Sequence, residues 1–483
     1  MTEKSRTDFA RNLVASSHTK NGHVVIIGGG ASGVLLACHL LRGPNHDVRV
    51  TLVEKRPEIG RGIAYFTANP NHLLNVRAAN MSAFPDQPDH FWQWLCAREG
   101  GASEAWHVRG DPFCFAPRTI YGDYIANLIS PLTSGNTRRL RVVRGECVSI
   151  SENDSGVSVT LGDGAKHRAD IAVLAIGFDT APSHRASCYV DPWVPPAEAS
   201  VAPDHRVLIV GTGLTMVDYV LSLSLNGHRG PIFAISRRGL LPRGHRRVEP
   251  LSIESADVPF GEGMTELVRW LRRLVRAQGG DWRRVVDGIR PHTQRIWREL
   301  PVSARRSFLE HAKAWWGAHR HRMAPEVEVR IHEAIASGQL SVTAGKLSVV
   351  EPGSASVLVR YRKRGASTFE TLDVDRIVDC RQMGSAPLKT NNPALRSLVD
   401  QGFARADVLR TGIDVTPESA IISRAGVASR RLFAVGPLTR SAFWEIIAIP
   451  DIANQCMALA DRLRGAPLPS TQALPRSEDQ GVG

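Results

Sequence analysis

The chain has 483 residues, of which 43% are hydrophobic and 22% charged, with a net charge of +13. That length exceeds what one hydrophobic core supports, so two or three domains of ordinary globular composition are expected. The basic charge favours anionic partners. With 6% aromatic residues and no nucleic-acid-binding module in view, it excludes nucleic acid as the reading and leaves anionic small molecules.

In chain order, residues 1–22 read as a disordered polar tail. His23 to Ile27 is a short apolar run ending in a glycine-rich turn, Val34 to Leu41 has helical apolar spacing, and Val48 to Val53 is a strand ending in Glu54. Strand, turn, helix, strand is a βαβ unit. A β-rich stretch follows at Leu140 to Ile150, Gly156 to Leu161 and Ile171 to Ile176. The unit then recurs. Arg206 to Val210 leads into a turn from Gly211 to Met216, a helix through Leu225, and a strand from Ile232 to Ile235 that ends in Ser236, Arg237 and Arg238. Between about residues 262 and 339 arginine and tryptophan are dense, and Leu267, Trp270, Leu271 and Leu274 recur at helical spacing, which predicts a helical insertion. Strands return at Leu340 to Val350, Ser356 to Tyr361 and Arg376 to Cys380. Leu432 to Val435 is a last buried strand, Ile446 to Leu463 a closing helix, and residues 467–483 a second disordered tail. The expected fold is α/β, with two Rossmann-like dinucleotide-binding domains and a helical insertion. One domain spans 23–185 and is closed by 386–466; the other spans 186–385.

The first turn places Gly28, Gly30 and Gly33 in GxGxxG spacing. The first glycine allows the tight turn, the second lets backbone reach a pyrophosphate, and the third lets helix pack on strand. Ser32 lies inside the loop, at the helix N-terminus whose free N–H groups attract phosphate. Glu54, followed by Lys55, ends the second strand, where a carboxylate accepts from ribose hydroxyls. FAD suits this site. The second turn has Gly211, Gly213 and Thr215, but Met216 stands where the third glycine belongs. Ser236, Arg237 and Arg238 occupy the place of an acidic residue, and an arginine there pairs with a 2′-phosphate. NADPH is expected, with NADH as the less favoured occupant.

Other chemistries find no motif: there is no G-x-S-x-G elbow, Walker loop, HExxH or zinc spacing, and no metal is expected. Seven cysteines without a C-x-x-C pair yield no disulfide framework and point to a reducing compartment. No apolar run reaches the ~18 residues of a membrane span and the first 22 residues lack a signal-peptide core, so a cytoplasmic protein with no membrane partner is expected.

The run GGGASGVLLACHLL, the stretch TLVEKRPEIGRGIAYFTANPNHLLNVRAANMSAFPDQPDHFWQWL, the pair GTGLTMVDYVLSL and ISRRGLLPRGH, AHRHRMAP at Ala318 to Pro325, and GPLTRSAFWEIIAIPDI at Gly436 to Ile452 together resemble bacterial FAD/NAD(P)-binding proteins. These are similar to flavin monooxygenases of the N-hydroxylating and Baeyer–Villiger type, a group that includes a urate hydroxylase and amine N-hydroxylases. The resemblance implies that Arg61 and Gly62 lie along the FAD phosphates or ribityl chain, that Asn75 and Met81 approach the isoalloxazine, and that Val148 meets the adenine through its backbone. It places Gly436 and a helix start at Trp444, Glu445 and Ile446 against the flavin ring, where a helix N-terminus stabilises negative charge. Two positions depart from the pattern: Ala175-Ile176-Gly177 replaces Ala-Thr-Gly, and Arg381 follows Cys380 where Thr-Gly is expected.

The implied activity is that of an FAD-dependent NAD(P)H monooxygenase, in which a flavin C4a-(hydro)peroxide transfers one atom of O2 to a small anionic substrate. The insertion supplies Arg290, His292, Arg295, Trp297, Trp315, Trp316, His319, Arg320, His321 and Arg322 as candidate substrate contacts. His321, Arg322 and Asn75 are the candidate catalytic residues; Arg243 and His245 have similar claims, whereas Trp270 and Trp282 read as core. The expected substrate is urate, giving 5-hydroxyisourate in purine catabolism. The alternatives are N-hydroxylation of an amino acid or amine and, in another class, a redox-sensing flavoprotein without turnover. The oligomeric state is not readable.

Overall fold

The computed structural model describes residues 22–42, 48–98, 111–134, 139–177, 188–353, 356–381 and 390–465. The tails expected at 1–22 and 467–483 lie outside it, apart from Gly22. The chain opens with β1 (His23–Ile27), α1 (Ala31–Leu41) and β2 (Arg49–Glu54), followed by α2 (His90–Ala97) and α3 (Arg118–Ser134). Helices α2 and α3 were not legible from periodicity. β3 (Leu140–Arg144), β4 (Cys147–Asn153), β5 (Gly156–Leu161), β6 (Lys166–Ala169) and β7 (Ile171–Leu174) complete the first part. The single strand expected over Leu140 to Ile150 is thus two, and they belong to different sheets. β3 pairs parallel to β2, while β4 joins an antiparallel three-stranded sheet with β5 and β6. Alternation cannot register such a change of sheet, because both halves bury alternate residues.

The second part holds β8 (Tyr189–Val190), β9 (Val207–Val210), α4 (Leu214–Leu225) and β10 (Ile232–Ser236). Then come helices only: α5 (Met264–Ala277), α6 (Trp282–Gly288), α7 (Thr293–Glu299), α8 (Val302–Ser307), α9 (Lys313–Arg320) and α10 (Pro325–Ala336), with a π-helical turn at Phe308–Ala312 before α9. β11 (Leu340–Pro352) runs parallel to β10 and then turns outward as the first strand of an antiparallel meander with β12 (Val357–Lys363) and β13 (Glu370–Val374); β14 (Arg376–Asp379) returns beside β9. The chain closes with α11 (Pro393–Asp400), β15 (Ala420–Ile422), β16 (Ala428–Ala434) and α12 (Ile449–Gly465).

Two sheets result. The first has the order β15-β16-β7-β1-β2-β3, parallel except for β15; the second has the order β13-β12-β11-β10-β9-β14-β8. β1 and β9 sit inside their sheets and are apolar and buried along their length, as parallel strands covered on both faces must be. In each sheet the glycine turn leaves the carboxyl end of an inner strand, where doubly wound folds bind ligands. α12 packs on α1, so the C-terminal segment completes the first sheet's layer. The insertion has its own small core, built on Val258, Leu267, Trp270, Ile289, Ile296 and Leu300. Trp270 is core, as expected.

Candidate functional site

The first turn is closed by contacts that only glycine permits. Gly28 has φ +107, and a Cβ there would meet the Ala175 carbonyl oxygen at 2.5 Å; a Cβ on Gly33 would stand 1.9 Å from the Gly28 oxygen. Despite the departure at 175–177, the end of β7 therefore abuts the loop as the pattern requires. A Cβ on Gly30 would meet Gly62 Cα at 3.3 Å, so two strand-end turns touch backbone to backbone. Gly436, φ +77, approaches from the closing segment, where a Cβ would meet Ser32 Oγ at 2.6 Å. Helix α1 has no side-chain cap and no acidic residue in its first turn. Its free N–H groups and positive end remain for an anion. Glu54 Oε2 accepts from Gly29 N–H at 2.6 Å and Oε1 from Arg56 N–H at 2.8 Å, which aims the carboxylate across the turn. Val148 falls at a bulge between the paired positions Cys147 and Ser149. Its backbone stands out of register, as a backbone contact to an adenine needs. These features fit a dinucleotide with free ribose hydroxyls.

Other expected residues of this site are engaged within the protein. Arg61 pairs with Glu58 at 2.7 Å and Asp123 at 2.5 Å, and Lys55 with Glu146 at 2.9 Å. Met81 is buried in the core, where its carbonyl accepts from Tyr121 Oη at 2.9 Å.

The second turn is more open. Gly211 has φ +113 and lies against the Cys380 carbonyl, 3.0 Å from a Cβ, but a Cβ on Gly213 would meet nothing within 4 Å. Thr215 is half-buried beside it, and Met216 is fully buried in the second sheet's core, standing the helix off where a third glycine would draw it in. α4 has no side-chain cap either. Ser236 Oγ closes the turn by bonding Thr212 Oγ1 at 2.9 Å and accepting from Gly239 N–H at 3.0 Å. Arg237 is exposed, while Arg238 donates to the His311 carbonyl at 3.0 Å and lies 5.9 Å from the Trp315 ring. The insertion is thus docked on the strand-end loop.

Between the two turns, the insertion meets the first domain along a charged seam. Glu445 is buried, and its carboxylate takes Arg320 Nε at 2.8 Å and Trp316 Nε1. Burial, the largest single influence, works to raise the Glu445 carboxyl, but Arg320, His321 and the Trp316 hydrogen bond together outweigh it and hold the group below its ordinary range. Burial likewise works most strongly against the Arg320 charge, and Glu445, Asp451 and Asp287 together outweigh it, so both partners are ionised. Trp297 donates to the Ser441 carbonyl at 2.9 Å and stacks on Trp444, centroids 4.4 Å apart. Trp444 is therefore a packing residue of the seam. Arg290 approaches Asp451 at 3.5 Å.

The helix start expected at Trp444 to Ile446 is corrected: α12 begins at Ile449, and residues 441–448 form turns. Glu445 has φ +65, which helical backbone does not allow, and Gly436, Thr439 and Ser419 are tied to Gln455 in the helix instead. Ile446 is fully buried.

A second patch of the seam joins Asn75 to the insertion. The segment 243–245 bridges 321–323: His245 N–H donates to the Met323 carbonyl at 2.9 Å, and Met323 N–H to the Arg243 carbonyl at 2.8 Å. His245 Nε2 lies 3.0 Å from the Asn75 carbonyl, which only accepts, so Nε2 carries the proton. Burial, then Arg322, pushes the His245 imidazole down to about 3; it is neutral, and its buried Nδ1 is an acceptor without a partner. Arg322, 2% exposed, is paired with Asp287. His321 is pushed down to about 4, chiefly by burial, with Glu445 opposing. The three expected catalytic residues thus share one interdomain seam. Sequence reasoning missed Asp287 and Asp451 as the partners of Arg322 and Arg290: Asp287 lies in no motif, and both become neighbours of those arginines only through the insertion's packing.

All seven cysteines are free, and among the described residues no group of His, Cys, Asp and Glu is arranged to hold a metal. No helix among them is long and apolar enough to cross a membrane.

This pair of dinucleotide folds has relatives. Residues 25–179 match the family model described as FAD-NAD(P)-binding. The solved structures it resembles include an ornithine N-hydroxylase from Kutzneria sp. 744, with reduced FAD, NADP+ and L-ornithine (15% identity, TM-score 0.62, 92% of this chain and 100% of that one). L-lysine 6-monooxygenase from Pseudomonas syringae is similar at 16% identity and TM-score 0.60, over 92% and 99% of the two chains. A cadaverine monooxygenase of desferrioxamine biosynthesis from Erwinia amylovora, bound to FAD, aligns at 13% identity and TM-score 0.63, over 96% and 100%. At such identities the likeness establishes the α/β two-dinucleotide fold. No curated protein sequence matches the chain.

Proposed function

We propose that this chain is an FAD-dependent, NADPH-reduced monooxygenase that N-hydroxylates a small amine or amino acid. One observation carries the reading: a closed glycine turn ending in Glu54 and an open one ending in Arg237 lie in one chain, with a helical insertion joined to both halves. When bound, FAD would take hydride from the nicotinamide and activate O2. The chain's residues orient and shield. Gly28 to Gly33 and the α1 terminus would hold the pyrophosphate, Glu54 the ribose hydroxyls, and the Val148 backbone the adenine. The Trp297–Trp444 stack, with Phe308 edge-on to Trp444 at 5.3 Å, packs the seam against bulk water. His245, held by the Asn75 carbonyl, ties the Asn75 segment to the insertion. No side-chain nucleophile is required.

The compounds named for the similar structures are two amino acids and a diamine. They favour N-hydroxylation over urate hydroxylation, which none of these similar structures supports, and purine catabolism is set aside with it. The test is NADPH and O2 consumption by the flavin-loaded protein with a panel of amino acids, amines and urate, scored for hydroxylamine product. Urate-dependent turnover without any hydroxylamine would return the urate reading. A bound flavin that NADPH cannot reduce would favour the non-catalytic redox sensor.

A further inference from the structure

The seam at Asn75 holds two buried side chains whose hydrogen-bonding groups are not all met. Gly244 pairs in parallel with Met323, so their chain neighbours His245 and Arg322 turn to one common face. Both are buried. Asp287 takes one nitrogen of Arg322, Nη2. Nε and Nη1 are buried and have no partner among the described residues, which leaves three N–H donors of this guanidinium unmet. On the same face His245 Nδ1 is buried and unpartnered as well. The residues that touch the pair, Asn75 at His245 and Asp287 at Arg322, are only half-buried.

The charge around this face is unbalanced. Arg246 and Arg247 have carboxylates of their own, Glu328 and Asp111, each at 2.8 Å. Arg77 and Arg283 have none within ion-pair distance among the described residues. Arg77 Nη2 donates to the Arg246 carbonyl at 2.5 Å, and Arg283 Nη2 to the Gly244 carbonyl at 3.0 Å. Arg322 and Arg283 also lie against one ring, that of Trp282, at 5.9 and 4.3 Å from its centroid. Three guanidiniums thus surround the bridge, and one carboxylate, Asp287, is paired with any of them. A neutral carboxamide could serve the unmet donors but would leave the charge. A carboxylate meets both needs.

We infer that Arg322, with Arg77 at its rim, anchors the α-carboxylate of the substrate, which makes that substrate an amino acid rather than a simple amine. The inference rests on the N-hydroxylation reading above and narrows it. The carboxylate would accept from the unmet N–H groups of Arg322. Arg322 would therefore act on binding, without touching the reacting atoms.

The test is calorimetric titration of the full-length, FAD-loaded protein with a panel of amino acids, each beside the amine left by its decarboxylation. Lysine with cadaverine and ornithine with putrescine come first. The two members of a pair differ by the carboxylate, and the measurement needs no turnover. The unsubstituted protein is expected to bind one amino acid tighter than its amine by roughly tenfold or more, and Arg322→Gln to abolish that preference while leaving the amine within about twofold. An amine that binds as tightly as its amino acid, or an Arg322→Gln protein that keeps the preference, overturns the inference and leaves N-hydroxylation standing. If no amino acid and no amine binds, both fall. If Arg322→Gln fails to fold, the half-buried Arg77 decides: the inference requires Arg77→Gln to weaken the amino acid and spare the amine.

Discussion

The two glycine turns begin alike and end differently. Gly28 and Gly211 both take positive φ, +107 and +113, and both are overhung by the first carbonyl past the end of a neighbouring strand, at Ala175 and Cys380. Five residues later the likeness stops. Gly33 lies so close under Gly28 that a methyl group would overlap its oxygen, whereas Met216 fills the equivalent place with a buried side chain. The first turn is drawn shut around its strand and ends on a carboxylate; the second is held open and ends on cations. A closed turn with carboxylate and helix end suits a resident cofactor, and an open one suits a cosubstrate that exchanges. One duplicated unit thus serves two roles through a single packing residue and the charge at a strand end.

The largest effect is expected where the halves join. Glu445→Gln would leave Arg320 buried without its counter-charge, and breaking such a pair costs about 3–5 kcal/mol; thermal and denaturant unfolding should read it, and a change below 1 kcal/mol would mean that the seam is not a buried ion pair. Gly33→Ala comes next. Overpacking at a site with no room costs about 1–3 kcal/mol or more, and FAD should be lost on purification; a yellow, stable Gly33→Ala protein would break the contrast between the turns. Arg237→Ala should raise the KM for NADPH by roughly tenfold or more while sparing NADH, as loss of a charged hydrogen bond worth about 1.5–3 kcal/mol requires. Equal effects on both cofactors would remove the 2′-phosphate from that loop.

Smaller effects follow from pH. His245 is neutral in the fold and binds its proton only near pH 3, against an ordinary 6.5. The unfolded chain therefore takes up a proton first as pH falls below 6.5. Stability from this group is full above 6.5 and declines by about 1.4 kcal/mol per unit toward pH 3. A His245→Asn variant with an unchanged acid-side slope would contradict this. The smallest effect is expected for Gly213→Ala, within about 0.5 kcal/mol, since a methyl group there meets nothing.

Both βαβ units, their glycines, Glu54 and the basic strand end were readable because local pattern sets them. Apolar runs make inner parallel strands, and glycine is required wherever backbone meets backbone. The helical insertion was legible for the same reason, from its periodicity. Other features depended on contacts distant along the chain. The sheet change between β3 and β4, the delayed start of α12 and the capture of Arg61 by Asp123 leave no trace in spacing. The stack of Trp444 on Trp297, 147 positions earlier, leaves no trace in the sequence either.

By itself, then, the sequence determined that this protein has two dinucleotide folds, which of them carries an acidic and which a basic strand end, and where helices interrupt them. Only the tertiary structure decided what the arginines, histidines and tryptophans of the insertion do. A buried charge takes its role from the counter-charge packed beside it, and for Arg320 and Arg322 those partners are Glu445 and Asp287, brought together by the packing of the insertion on both sheets.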